Sequence, residues 1–432
     1  MIKIFSDERG ISLIMTIIAS LFLSILGYVT ISTVVTDSRL GARSLNSQQA
    51  FWLAESGLEL TYRWLQFQDP PPGGTAAFLH YNQQADGGGT YTVTVDPDNG
   101  NPGTYLKKYK ISSVGKVDKT VRKLEIEMLT TTFNKFGYLT GDEGGTIWFI
   151  TGDLLEGPIH SNDQISIVGS PVFMGKVSST ASSFNQGSPF TPDFQNSYQL
   201  GVPPVIFPTE QDVMDNYWSE NTLPPGLIID ATFGKKADIQ FLANGTLRYS
   251  VWHMEGVVKV FDITNQIEVL DDLRGFIFVD GDVTIQGTVN GAVTLFATGK
   301  IEIDNNIIYE DSWPSGEPKS GCDDYLGLIA KTDVLILENA ANNNDVIINA
   351  AILTLGDSFT VQNFWSGSPR GDLTIYGSLS QLVRGPVGTF GWSGATGYAK
   401  DYHYDGRFAD TPPPYYPSVG KYHYLYWKEI TD

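Results

Sequence analysis

Two pairs of carboxylates stand side by side in the chain, Asp271 with Asp272 and Asp323 with Asp324, and paired carboxyl groups are what glycoside hydrolysis requires. That chemistry needs both groups facing one groove, whereas neighbours on a strand point to opposite faces. Each pair therefore reads as a turn or a solvated edge. The five histidines, His80, His160, His253, His403 and His423, are far apart and show no H-E-x-x-H or similar ligand spacing. Ser358 follows Gly356 and Asp357 without the G-x-S-x-G elbow of an activated nucleophile, and reads as structural. The run Asp96 to Asn101 looks like a calcium loop, but Gly100 and Lys107 stand where the EF-hand pattern needs a ligand and a glutamate, so a turn is the better reading. Asn342 to Asp345 offers oxygen donors without a recognisable pattern. The residues that could do chemistry thus predict no catalytic centre, no metal and no cofactor, and the expectation is a non-enzyme.

Composition narrows the classes further. The net charge of -20, from 28 basic and 48 acidic residues, argues against a nucleic-acid partner, which would require clustered Lys and Arg. One cysteine, Cys322, allows no intramolecular disulfide and no cysteine-based zinc site. The 432 residues suffice for two or three domains with a sizeable core.

The first long element is the most informative. No charge interrupts residues 11–36, a run long enough to cross a hydrocarbon core about 30 Å thick. It is longer than the apolar region of a cleaved signal and leads to Asp37 without a small-residue cleavage site, which favours a retained anchor. Beyond it, Phe51, Ala54, Leu58, Tyr62 and Leu65 recur every three or four residues on one helix face. Glu55, Glu59 and Arg63 follow at the four-residue spacing of surface pairs. Pro70, Pro71, Pro72, Gly73 and Gly74 stop the pattern, so one helix over 11–68 is expected, about 85 Å long.

The short leader ending at Gly10 before this run resembles that of a prepilin, and Gln48 to Leu60, QQAFWLAESGLEL, resembles the N-terminal domain of PilX-type minor pilins. The likeness covers about one seventh of the chain, roughly Arg9 to Leu65. It implies cleavage by a prepilin peptidase between Gly10 and Ile11, N-methylation of Ile11, an inner-membrane anchor and other pilin or pseudopilin subunits as partners. Most major pilins carry glutamate at the fifth mature position, where this chain has Met15. That departure implies either a tip or initiating subunit, or an apolar residue tolerated in a low-copy one.

After the proline break, Tyr91, Val93 and Val95, then Tyr109 and Ile111, then Leu124, Ile126 and Met128 alternate as half-buried strands do, which predicts a small antiparallel sheet over 89–129 packed on the helix. Lys107, Lys108, Lys110, Lys116, Lys119, Arg122 and Lys123 face one acid, Asp118, as either a solvated hairpin face or a patch for acidic partners or lipid headgroups. From Thr130 the motif Gly281-Asp-Val-Thr-Ile285 is echoed at 299–303, 332–336, 344–348 and 371–375. Short strands that cannot bury their own faces suggest stacked coils.

The fold class read from these elements is α+β: a long pilin-like helix with a small antiparallel sheet, then a large all-β domain, an irregular β-solenoid or, as the alternative, a β-sandwich. The domain plan is leader 1–10, membrane part 11–36, protruding helix 37–69, sheet 89–129, β-rich exported domain 130–417 and tail 418–432. Segments 157–177, 384–390, 396–408 and 412–417 also resemble an uncharacterised domain found behind PilX-type N-termini, a likeness that covers most of 130–417 and implies no activity. Tyr398, Tyr402, Tyr404, Phe408, Tyr415 and Tyr416 could form an exposed stacking surface for a glycan or another surface ligand, or cap the open end of the β core. The readings that follow are a pilus-filament subunit, an adhesin or glycan-binding module delivered by a pilin anchor, and a polysaccharide-active β-helix enzyme.

Overall fold

The computed structural model of the chain describes residues 8–68, 71–97, 106–217, 226–391 and 394–431. Most of the leader, Asp69 and Pro70 of the proline break, and the part of the candidate calcium loop from Asp98 on lie outside the described residues.

Helix α1, Glu8–Leu65, is unbroken over 58 residues. Its hydroxyls do not interrupt it, because those of Thr16, Ser20, Ser24, Thr30, Ser32, Thr33 and Thr36 donate to carbonyls one turn back. An apolar segment can thus carry them without stranded donors. Residues 12–45 are almost entirely exposed, and α1 is long and apolar enough to cross a membrane. Its end tightens, with the amides of Phe67 and Gln68 bonding three residues back, so the helix stops at Leu65 rather than at Gln68.

Five antiparallel strands form the small sheet: β1 (Ala77–Gln84), β2 (Thr90–Pro97), β3 (Lys108–Val117), β4 (Thr120–Thr132) and β5 (Ser418–Ile430), in that spatial order. Two of these lie outside the expected span 89–129. The segment 418–432, read as a tail, is a correction: it supplies β5, which pairs with β4 from Ser418 opposite Thr132 to Ile430 opposite Lys123. The inward residues Val93, Val95, Ile111, Leu124, Ile126 and Met128 close over Ala54, Leu58 and Leu65 of α1. The helix lies close because Gly115 of β3 faces it: a side-chain carbon there would fall on the Ala50 carbonyl and the Ala54 amide. From the helix side, Gly57 meets Ser113 and Val93 in the same way.

The large domain, from Tyr138 to the start of β5, is all β among its described residues apart from short helical turns and the helix Glu210–Tyr217. Its pairings are mainly parallel and in register, unlike two facing antiparallel sheets. One column of buried rungs runs Ile277, Leu295, Leu328, Ile352, Leu379 and then Tyr138, Ile159 and Val177. A second runs Ile239, Ile285, Ile303, Ile336 and Val361, and a third runs Ile307, Ile348, Ile375, Tyr402, Leu155 and Phe173. These columns build one continuous core. Their spatial order is not the chain order: the strand Pro369–Val383 stacks on Tyr138–Asp142, so the N-terminal coils lie beyond the C-terminal ones. At the other end an antiparallel arm, Leu227–Leu242, Thr246–Glu255 and Val258–Val269, continues the stack.

Candidate functional site

The helix face and the sheet beneath it form the best-built surface among the residues singled out above. Gly10 and Ile11 lie within the backbone of α1, and Met15 is exposed further along it. Ala54, Leu58 and Leu65 are buried, whereas Phe51 and Tyr62 are half-buried at the rim. Tyr62 stacks on Tyr424 of β5, with ring centroids 5.6 Å apart. Phe51 meets Trp427 of β5 edge-on and carries the Arg122 guanidinium over its ring at 5.6 Å. The C-terminal strand therefore clasps the helix that begins the chain.

The basic run does not form one free patch. Lys108 pairs with Glu127 at 2.6 Å, Lys110 lies 3.5 Å from Glu125, and Arg122 pairs with Glu429. Glu125 sits at the centre, on the face of β4 turned away from the helix, because Leu124 and Ile126 take the inward positions. It accepts from Tyr426 at 2.9 Å and pairs with Lys428 at 2.8 Å, so it ties β5 to β4. Burial opposes its ionisation, but the hydrogen bonds from Lys428 and Tyr426 and the charge of Lys110 outweigh that and hold its carboxyl at about 2. A carboxyl whose folded pKa lies below its ordinary 4.5 contributes stability above that value and loses it as pH falls toward the folded one. Thermal melts of Glu125→Gln against the parent chain should therefore differ at pH 6, and the difference should shrink between about pH 4.5 and 2. A gap that stays constant through that window would rule out the linkage.

The tyrosine surface is a second correction. Tyr398, Tyr402 and Tyr416 are buried, at 6, 5 and 0 % exposure, and Tyr404 and Tyr415 are half-buried, so these residues present no exposed stacking face. They cap no open end either. The strand Thr396–Tyr404 lies between Pro369–Val383 and Leu154–Leu155, and the Tyr398 hydroxyl donates to the Asn342 carbonyl. Phe408 and Tyr416 belong to a second cluster with Phe133, Phe276 and Phe296.

The residues considered for catalysis stay apart. Asp271 and Asp272 are exposed in a single helical turn. Asp323 is exposed while Asp324 is buried, accepting the amides of Gly291 at 2.7 Å and Asp311 at 3.1 Å. Ser358 is buried and its hydroxyl donates to the Asp357 carboxylate at 3.2 Å, its neighbour in the chain. His160 is buried between Ser178 and Asn162 at 2.8 and 2.9 Å, and burial holds its imidazole pKa low. Asn342 uses its amide on the Ile303 and Leu337 carbonyls. Among the described residues no three His, Cys, Asp or Glu side chains gather as metal ligands would.

A buried charged cluster escaped sequence reasoning. Arg384 pairs with Glu143 at 2.6 Å with both side chains 1 % exposed, and Lys400 pairs with Asp153 at 3.0 Å nearby. Glu143 also accepts from Thr140 at 2.5 Å and Ser161 at 2.7 Å, and the Arg384 guanidinium lies 3.8 Å from the Phe149 ring centre. Both pairs join segments some 240 positions apart, across the junction where the N-terminal coils meet the C-terminal strand. No local pattern marks such a pair, since Glu143 and Arg384 each stand just past the end of a strand.

Comparison with known proteins adds two findings. A family model, the domain of unknown function DUF4900, matches residues 90–182, which span β2 to β4 and the first coils of the large domain. The matched stretch thus crosses the boundary expected at 129–130. No curated protein matches the chain. The crystal structure of the competence-associated pilin ComZ from Thermus thermophilus aligns over 89 % of this chain and 97 % of that one, at 13 % identity and a TM-score of 0.33. A score that low carries no argument about a shared fold.

Proposed function

We propose that the chain is a non-enzymatic minor pilin or pseudopilin-like subunit, held in the inner membrane by α1 before assembly and presenting its β-rich domain outside the cytoplasm. The observation that supports this most is the division of one unbroken helix into two halves. The first half is apolar and exposed along its whole length, as a lipid- or subunit-facing segment must be, and the second is sealed into a sheet. The likeness of Gln48 to Leu60 to PilX-type pilins points the same way. In this reading a prepilin peptidase cuts between Gly10 and Ile11, Ile11 is N-methylated, and the exposed apolar half packs against other pilin-type subunits in a filament or its assembly complex. Met15 removes the membrane carboxylate that a major subunit would carry, which suits a tip or initiating position. The parallel in-register rungs support reading the large domain as an irregular β-solenoid, a rigid body of a kind suited to display.

Mass spectrometry of the chain expressed beside a prepilin peptidase tests the reading. The parent chain is expected to begin at Ile11, whereas Gly10→Leu keeps residues 1–10 and fails to enter sheared filaments. A parent chain that keeps its leader, or a variant cut as readily as the parent, overturns it.

A further inference from the structure

The antiparallel arm curls the end of the stack into a cleft of about 510 Å³ that none of the foregoing uses. Its floor is a single sheet surface running from Val258–Val269 through Thr246–Glu255, Leu227–Leu242 and Phe276–Val289 to Ile301–Tyr309. Five strands at about 4.8 Å spacing make it about 20 Å across. Register sets the outward side chains in rows across the strands. Phe261, Trp252 and Lys236 form one row. Ser250, Asp238, Thr284 and Glu302 form the next, followed by Arg248, Gln240 and Gln286, with Asp304 bonded to Gln286 at 3.4 Å.

Three properties of this surface select a ligand class. First, its charges cancel in place: Lys236 pairs with Glu302 at 2.9 Å and Lys259 with Asp238 at 2.7 Å, while Arg248 bonds Gln240 and Asp304 accepts from Asn339 at 2.9 Å. With three cations against three carboxylates, the surface gives an anion or a basic peptide no field to follow. It nonetheless presents donors and acceptors side by side, as ligand hydroxyls require. Second, Phe261 lies 46 % exposed at the edge of the cleft, a flat apolar platform beside the polar rows. Lys259 is pinned between the two rings, 3.9 Å from the Trp252 centroid and 5.2 Å from that of Phe261, and the buried Trp252 indole N–H has no partner. Third, the edge strand bulges at this point. Tyr249 pairs with Gln266 but Val251 pairs with Ile263, so Thr264 and Asn265 stand opposite Ser250 alone, one residue more than the partner strand has. Asn265 adopts a positive φ of 50°, its amide donates to Ser250 at 2.9 Å, and it lines the cleft. A bulge with a left-handed residue on an exposed edge costs free energy and is a common way to re-aim a side chain into a site.

We infer that this cleft binds an uncharged oligosaccharide laid across the strands, with Phe261 under the apolar face of a sugar ring and Asp238, Arg248, Gln286 and Asp304 bonding its hydroxyls. The size suits a ligand of several rings. The carboxylates in the cleft are each held by a cation or amide partner, which fixes them as acceptors for ligand hydroxyls, and the role inferred is recognition. This goes beyond the filament reading and does not depend on it: the site is the same whether or not the leader is cut.

The test uses the full chain in detergent micelles and immobilised neutral oligosaccharides of four to six sugars: β-1,4-glucan, α-1,4-glucan, mannan and N-acetylglucosamine oligomers, with oligogalacturonate and sulfated oligosaccharides beside them. At least one neutral probe is expected to bind, with Phe261→Ala weakening it tenfold or more and Asp304→Asn several-fold, while Phe261→Tyr retains it. Circular dichroism of the variants should match the parent, since Phe261 is on an exposed edge. No binding of any neutral probe at millimolar concentration, a preference for the anionic probes, or affinity that Phe261→Ala leaves unchanged would each overturn the inference. An uncleaved or soluble chain that still binds would sink the filament reading and leave this one standing.

Discussion

Arg384→Met should lower the stability of the large domain by about 3 to 5 kcal/mol, the loss expected when one partner of a buried ion pair is removed and the other is left uncompensated. Glu143 would then hold its charge at 1 % exposure with only the Thr140 and Ser161 hydroxyls to bond it. Adding Glu143→Gln removes that stranded charge while keeping an oxygen for both hydroxyls, and should restore at least half of the loss. The measurement is the denaturant midpoint of each variant by tryptophan fluorescence. If single and double variants fall equally, burial of charge is not what matters at this position. The pair occupies the one place where chain connectivity does not dictate which coil lies on which. At the other described rungs of the large domain a coil follows its neighbour in sequence, but here Tyr138–Asp142 must find Pro369–Val383, and Leu154–Leu155 must find Thr396–Tyr404, across more than 200 residues. A one-residue slip would break the Arg384 and Lys400 pairs together, so they set the register as well as bury charge.

The second large effect concerns the helix. Gly115→Val would drive a side chain into the backbone of α1 at Ala50 and Ala54, which cannot yield as a flexible side chain would. Overpacking of this kind costs about 1 to 3 kcal/mol and more where backbone is struck. We expect α1 to lift from the sheet, with amides of β2 to β4 losing hydrogen-exchange protection while the large domain keeps its own. Lys116→Val, one residue on and facing solvent, serves as the control and should change nothing. Protection in Gly115→Val equal to that of the control would mean that the helix is not held by this close approach.

These two sites differ in how far the local sequence determines them. The helix was legible because its determinants are local: an uncharged run, then Ala54, Leu58 and Leu65 at helical spacing, then prolines. The repeated Gly-Asp-Val-Thr-Ile units were legible as strands for the same reason, and Val283 and Ile301 do face each other eighteen positions apart. The order of the coils was not, because Leu379 opposite Tyr138 is a pairing that no local pattern encodes. The strand β5 carried a signal that was passed over, the alternation of Tyr422, Tyr424 and Tyr426 at period two. The C-terminal tyrosines misled because aromatic residues among polar ones suit both a surface and a core. Only the neighbouring coil, which arrives from the N-terminal side of the domain, decides that Tyr402 is covered. The cleft beside Phe261 was equally hidden, since its rows combine residues from five strands between positions 236 and 304.

The reading of the whole molecule rests on the first half of α1 remaining in lipid while the β-rich domain stays outside the cytoplasm. Alkaline carbonate extraction of membranes, followed by protease added to intact spheroplasts, measures both at once. The chain should stay in the membrane pellet with Ile11 as its first residue, and external protease should reach the β-rich domain. A chain released into the supernatant, or one whose N-terminus lies beyond Thr36, would contradict that reading.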